Sequence, residues 1–79
     1  MKLPAIKKLV ESYSLEDLRR GEEALLNEQP LPIQVDGQDE GEQLTHIIGA
    51  IEVLEKVEQG ADPKNALREF VQRVRNSIN

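Results

Sequence analysis

The stretch GEQLTHIIGAIEVLEKVEQG, residues 41–60, is the longest and most apolar periodic segment of the chain. When each residue turns the helix by about 100°, its apolar side chains span an arc of about 220°, roughly twice the usual stripe of a surface helix. We therefore predict a central helix that needs cover from more than one neighbour. Gly60 suits the position just after its last turn. The predicted polar side consists of Thr45, Gly49, Glu52 and Lys56.

One part of this arc, here called the shoulder, consists of Ala50, Val53 and Val57, with His46 beside them. The other helices offer narrower apolar stripes, so the shoulder is the surface whose cover is least certain. A chain of 79 residues has a small core, and small domains often gain stability by associating. The sequence thus predicts a homodimer with the shoulder near its interface.

Three further helices are predicted from local signals. Pro4 suits the first turn of a helix, and Ser14 with Asp17 forms a variant of the capping box. Asp62 and Pro63 suit the N-cap and first position of the last helix. We predict an all-α fold, a small four-helix bundle in a single helical domain, residues 1–79. The predicted helices cover about 3–13, 15–28, 40–59 and 63–78.

An extended segment is predicted between the second and third helices, because Pro30 and Pro32 exclude a helix there. Leu31, Ile33 and Val35 alternate with other residues, as in a short strand. The segment is either a connector lying on the helices or an intersubunit strand, 31–35, paired with its copy in a second subunit. We favour the connector, because isolated two-stranded ribbons are only marginally stable.

The composition excludes several kinds of site. The chain has no cysteine and one histidine, which leaves no disulfide, no thiolate metal site and no cluster of histidine ligands. We expect no cofactor and no bound metal. The N-terminus lacks the uninterrupted apolar stretch of a signal peptide, and no segment is apolar enough to span a membrane, so we expect a cytoplasmic protein.

Charge is unevenly distributed around the net value of −5. Residues 1–10 carry three lysines and no acid, and residues 64–79 carry four basic residues and one acid. Residues 11–63 carry fourteen acids and three basic residues. This pattern predicts that the termini fold back onto the body, or that two chains meet head to tail. The overall acidity argues against nucleic acid as a partner.

Two features are candidates for chemistry. His46 is a candidate general base, but no nucleophile pattern accompanies it, so a packed histidine is the favoured interpretation and we expect no enzyme activity. The acidic 36–42 loop resembles a calcium loop only loosely, since its twelfth position is Ile47 rather than an acid. A small-ligand or divalent-metal site at His46 or in this loop is the alternative to a protein-binding function.

A basic contact face is predicted on the last helix, where Lys64, Arg68 and Arg75 lie within a narrow arc. It suits an acidic partner or a phosphate group. It also suits the acidic middle of the same chain or of a neighbouring chain, which we favour.

The two ends of the chain carry a recognisable pattern. It consists of MKLPAIKKLV at residues 1–10 and GAIEV at residues 49–53, followed by Gly60, Ala66, Leu67, Phe70, Arg73, Val74, Ser77 and Ile78. This pattern resembles a family of short bacterial proteins of unknown function, whereas residues 13–45 carry no match. The family has no assigned activity, so no functional residue is carried over. The resemblance implies a link to the thioredoxin or peroxiredoxin system, in which a chain without cysteine has an accessory role.

Overall fold

The computed structural model describes residues 2–77, which form four helices. They are α1 (Leu3–Ser12), α2 (Leu15–Leu26), α3 (Glu40–Glu58) and α4 (Pro63–Ser77). No strand occurs among the described residues, and the predicted all-α fold of four helices is confirmed. The first three helices end one or two residues earlier than predicted, and Ile78, the predicted end of the fourth, lies outside the described residues.

Side chains cap the helix starts as the local signals predict. The Ser14 hydroxyl accepts a hydrogen bond from the Asp17 N–H at 3.2 Å, and the Asp17 carboxylate accepts one from the Ser14 N–H at 3.3 Å. At the start of α4, the Asp62 carboxylate accepts from the Asn65 N–H at 3.2 Å, with Pro63 as the first helical residue. These bonds satisfy N–H groups that have no partner inside the helix.

Two helices end in the same backbone motif. After α3, Gly60 has a φ of 106°, and the N–H groups of Gly60 and Ala61 donate to Val57 and Lys56. After α2, the N–H groups of residues 28 and 29 donate in the same way to residues 25 and 24. These are Schellman motifs, which place the residue after the C-cap in the left-handed region. Glycine adopts this conformation easily, whereas α2 places Glu28 there with a φ of 55°.

The helix α3 is the centre of the structure, because α1, α2 and α4 all pack against it. The molecule measures 32 × 30 × 16 Å along its principal axes, so this packing gives a flat body. The buried hydrophobic cluster draws on all four helices. Its members are Ile6, Leu9, Leu18, Ile47, Ala50, Ile51, Val53, Ala66 and Phe70.

Two glycines mark close approaches in this core. A Cβ at Gly49 would lie 2.9 Å from Phe70 Cζ and 3.0 Å from Ile6 Cδ1. The prediction that Gly49 lies on a polar side of α3 is therefore wrong, since α1 and α4 both approach it. A Cβ at Gly21 in α2 would lie 2.9 Å from Ile33 Cδ1 of the extended segment.

The extended segment lies on the helices as a connector. Leu31, Ile33 and Val35 are half-buried against the core. The Gln34 N–H donates to the Tyr13 hydroxyl at 3.0 Å, and the Gln43 side-chain amide donates to the Val35 carbonyl at 3.2 Å. Side chains of the same chain thus already use backbone groups that an intersubunit strand would need.

Candidate functional site

The predicted interface shoulder lies inside the monomer. His46 and Ala50 have no exposed surface, Val53 is 1% exposed, and only Val57 is half-buried. The helix α1 supplies buried residues to the same cluster and packs along α3. The prediction that His46, Ala50 and Val53 form a contact surface is therefore wrong. They are core residues, because α1 packs along α3 and covers them despite its narrow apolar stripe.

His46 is buried with both ring nitrogens engaged. Nε2 lies 2.9 Å from the Lys2 backbone nitrogen, and Nδ1 lies 2.7 Å from the Asp36 carbonyl oxygen. A backbone N–H only donates and a carbonyl oxygen only accepts, so Nε2 is the acceptor and Nδ1 carries the proton. The ring is neutral in this arrangement and ties the start of α1 to the connector.

This arrangement leaves His46 without a lone pair for a metal ion or for proton transfer to a substrate. Three of the four acids of the 36–42 loop also have structural contacts. Asp39 accepts the Glu42 N–H at 2.8 Å as the N-cap of α3, Glu42 accepts the Gln38 N–H at 3.1 Å, and Asp36 pairs with Lys8 at 3.9 Å. No group of three acidic or histidine side chains able to hold a metal occurs in residues 2–77.

The apolar surface that stays open lies elsewhere on α3, in a groove with α2. Leu26 is 66% exposed and Ile48 is 48% exposed, and they are the exposed large hydrophobic residues of the described chain. Both line the same groove together with Ile51. We call this the acidic groove, because four of its five charged residues are glutamates. They are Glu22, Glu23, Glu52 and Glu55, and the fifth charged residue is Arg19.

The charges of the acidic groove are only partly compensated within the chain. Glu52 pairs with Arg73 of α4, and Glu55 pairs with Arg19 at 3.1 Å. Glu22 and Glu23 make no ion pair with any other described residue. Four glutamates against one arginine give the lining a formal charge of −3.

A second groove, between α1 and α4, contains the predicted basic face. Lys64, Arg68 and Arg75 are exposed there, and the structure adds Lys7 from α1. We call this the basic groove. Its apolar lining includes Val10, Leu67 and Val71, which are half-buried. With Glu11 as its acid, the lining carries a formal charge of +3, and none of its four cations has an ion pair within residues 2–77.

Sequence reasoning missed the acidic groove as a surface, although Ile48 belonged to the recognised apolar arc. The feature of the sequence that indicated this surface was the width of the apolar arc, which is greater than α1, α2 and α4 can cover together. Which part stays open depends on where α1, α2 and α4 lie around α3, and periodicity does not contain this information.

The described helices include none that combines the length and apolar character of a membrane span. Comparisons with curated proteins and with solved structures found no match for the chain. A family model described as "Family of unknown function (DUF6952)" matches residues 1–79. The chain therefore belongs to this family of unknown function, in agreement with the resemblance of its two ends.

Proposed function

We propose that the chain is a non-enzymatic, cytoplasmic helical module that self-associates and also binds another protein, with the acidic groove as its contact surface. The observation that carries this proposal is the convergence of Leu26 and Ile48 in one groove, with Ile51 beside them. Single exposed apolar residues are common on monomers, but apolar residues that cluster within a polar rim are typical of interaction sites.

The total accessible surface area also supports the proposal, because it is larger than that of a compact monomer of the same mass. The accessible surface is 5355 Å². A compact monomer of the same mass exposes about 4,800 Å². A flat body 16 Å thick has a high ratio of surface to volume, and association would bury part of the excess.

The non-enzymatic part of the proposal is supported by the burial and hydrogen bonding of His46. His46, the candidate general base, has both ring nitrogens bonded to backbone groups. Catalysis by proton transfer requires a group within hydrogen-bond reach of a substrate, and a fully buried ring does not offer this.

Sedimentation equilibrium of the wild-type chain and of Ile48→Glu tests the self-association. We expect the wild type to associate at micromolar to high micromolar concentration. Ile48→Glu should stay monomeric, because it places a carboxylate in the apolar centre of the groove. Thr45→Glu is the matched control, since it adds the same charge to an exposed position of α3 outside the groove. A wild type that stays monomeric at high micromolar concentration contradicts the proposal.

Affinity capture from the native cell tests binding of another protein. The wild type, Ile48→Glu and Thr45→Glu serve as three parallel baits. A protein retained by the wild type and by Thr45→Glu, but lost with Ile48→Glu, is a partner of the acidic groove. A protein retained equally by all three binds elsewhere, and that result contradicts the assignment of the groove.

A further inference from the structure

We propose that copies of this chain meet head to tail, with the basic groove of one copy docked on the acidic groove of the next. This inference rests on the proposed self-association and specifies the surface that occupies the acidic groove. The occupant is a second copy, approached by its α1–α4 side.

Charge complementarity is the first argument. The acidic groove carries a formal charge of −3 and the basic groove one of +3. The uncompensated residues of each groove have the opposite sign: Glu22 and Glu23 on one side, and Lys7, Lys64, Arg68 and Arg75 on the other. Complementary potentials of this kind select a docking partner and its orientation.

Charge also disfavours the symmetric alternatives. Two acidic grooves facing each other would bring two linings of −3 together, and two basic grooves would bring two of +3 together. Like charges that face each other across an interface are unfavourable and suppress such pairings. The contact between unlike grooves avoids this cost.

The two grooves also match in apolar character. Leu26, Ile48 and Ile51 lie in the acidic groove, and Val10, Leu67 and Val71 lie in the basic groove. Each groove thus combines aliphatic residues with charged side chains, the pattern of an interface with an apolar centre and a polar rim.

The grooves share no residue, since α2 and α3 form one and α1 and α4 form the other. A single contact between unlike grooves therefore leaves one acidic groove and one basic groove free on the pair. Contacts of this heterologous kind continue into rings or open chains of copies.

Two charge-reversal variants test the arrangement. Glu22→Lys/Glu23→Lys disables the acidic groove, and Arg68→Glu/Arg75→Glu disables the basic groove. Glu23, Arg68 and Arg75 are exposed and Glu22 is half-buried, so far-UV circular dichroism should show both variants folded. Each variant alone should associate at least about tenfold more weakly than the wild type. The mixture should associate more strongly than either variant alone, because one copy keeps its basic groove and the other keeps its acidic groove.

Glu58→Lys/Glu69→Lys is the control for net charge. It makes the same change as the acidic-groove variant, at exposed positions outside both grooves, and should associate like the wild type. If the wild type associates and neither reversal weakens it, self-association stands and the head-to-tail contact is refuted. The contact is also refuted if only the acidic-groove variant dissociates, since another surface then fills that groove. A monomeric wild type refutes the proposed function itself.

Discussion

At the scale of single residues, His46 shows how a polar side chain becomes part of a core. Its ring is fully buried in α3, yet each nitrogen has a backbone partner, Lys2 on one side and Asp36 on the other. Buried polar groups are tolerated when they are hydrogen-bonded, and imidazole in its neutral form offers one donor and one acceptor. His46 therefore acts as a link between the start of α1, the connector and α3.

The tautomer of His46 is the first prediction. The two backbone partners require a proton on Nδ1 and a lone pair on Nε2. Long-range ¹H–¹⁵N correlation spectra of the chain at neutral pH should show the Nδ1–H form. His46 is the single histidine of the chain, so its signals need no assignment against others. A spectrum of the Nε2–H form contradicts the proposed pair of hydrogen bonds.

The contrast between Val53 and Ile48 is the second prediction. Both lie in α3, but Val53 is 1% exposed and Ile48 is 48% exposed. Val53→Glu buries an unpaired carboxylate and should lower the free energy of unfolding by more than about 4 kcal/mol. Ile48→Glu, with its side chain at the surface, should change it by less than about 1 kcal/mol.

Urea denaturation followed by circular dichroism, at a concentration where both chains are monomeric, measures this contrast. A Val53→Glu chain as stable as the wild type would place Val53 at a surface, as the sequence alone suggested.

At the scale of secondary-structure elements, the helix ends differ in how well their residues suit the backbone. The helices α2 and α3 finish in the same motif, with glycine at the left-handed position of α3 and Glu28 at that of α2. A non-glycine residue in this region costs about 1–3 kcal/mol and is retained only where its surroundings hold it. The end of α2 is therefore a weak point of the fold.

Replacement of Glu28 is the third prediction. Glu28→Gly removes the steric cost of the positive φ and should raise the free energy of unfolding by about 1 kcal/mol. For a domain of this size, that corresponds to a rise in melting temperature of about 4–8 °C. Thermal denaturation of the variant and the wild type measures the shift. Glu58→Gly, within the last turn of α3, is the control and should lower the melting temperature. A fall with Glu28→Gly would show that its side chain contributes more than the strain costs.

At the scale of the whole molecule, α3 is covered on three sides and open on one. The helices α1, α2 and α4 pack against it, and the open side carries Ile48 in the acidic groove. Two basic residues of the terminal segments form ion pairs with acids of the middle of the chain. The pairs are Lys8–Asp36 and Arg73–Glu52. The remaining cations of the basic groove have no such partner within residues 2–77.

The salt dependence of association is the fourth prediction, and it belongs to the assembled molecule. Raising sodium chloride from about 0.05 M to about 0.5 M shortens the Debye length by roughly threefold and should weaken a contact between oppositely charged grooves. Sedimentation equilibrium at both concentrations measures the change. Association that stays constant or strengthens with salt would indicate a contact held by apolar burial alone and would contradict the head-to-tail arrangement.

Local signals in the sequence specify the helices and the connector of this fold. Ser14 with Asp17, Asp62 with Pro63, and Gly60 act within about one turn of their helix ends, so the residues that form each signal are neighbours in the chain. The prolines of the connector likewise exclude a helix through their own backbone geometry. The basic face of α4 was also predictable, because helical spacing places its residues on one arc.

Packing between distant parts of the chain sets which surfaces the helices leave open. The apolar arc of α3 showed that the helix needs several neighbours, but its width is compatible with many placements of α1, α2 and α4. The structure buries Val53 and leaves Ile48 exposed, and it adds Lys7 of α1 to the basic face of α4. The physical reason is the distance along the chain between the residues in contact. Caps and turns depend on contacts between sequence neighbours, whereas the burial of a helix face depends on packing between residues far apart in the chain.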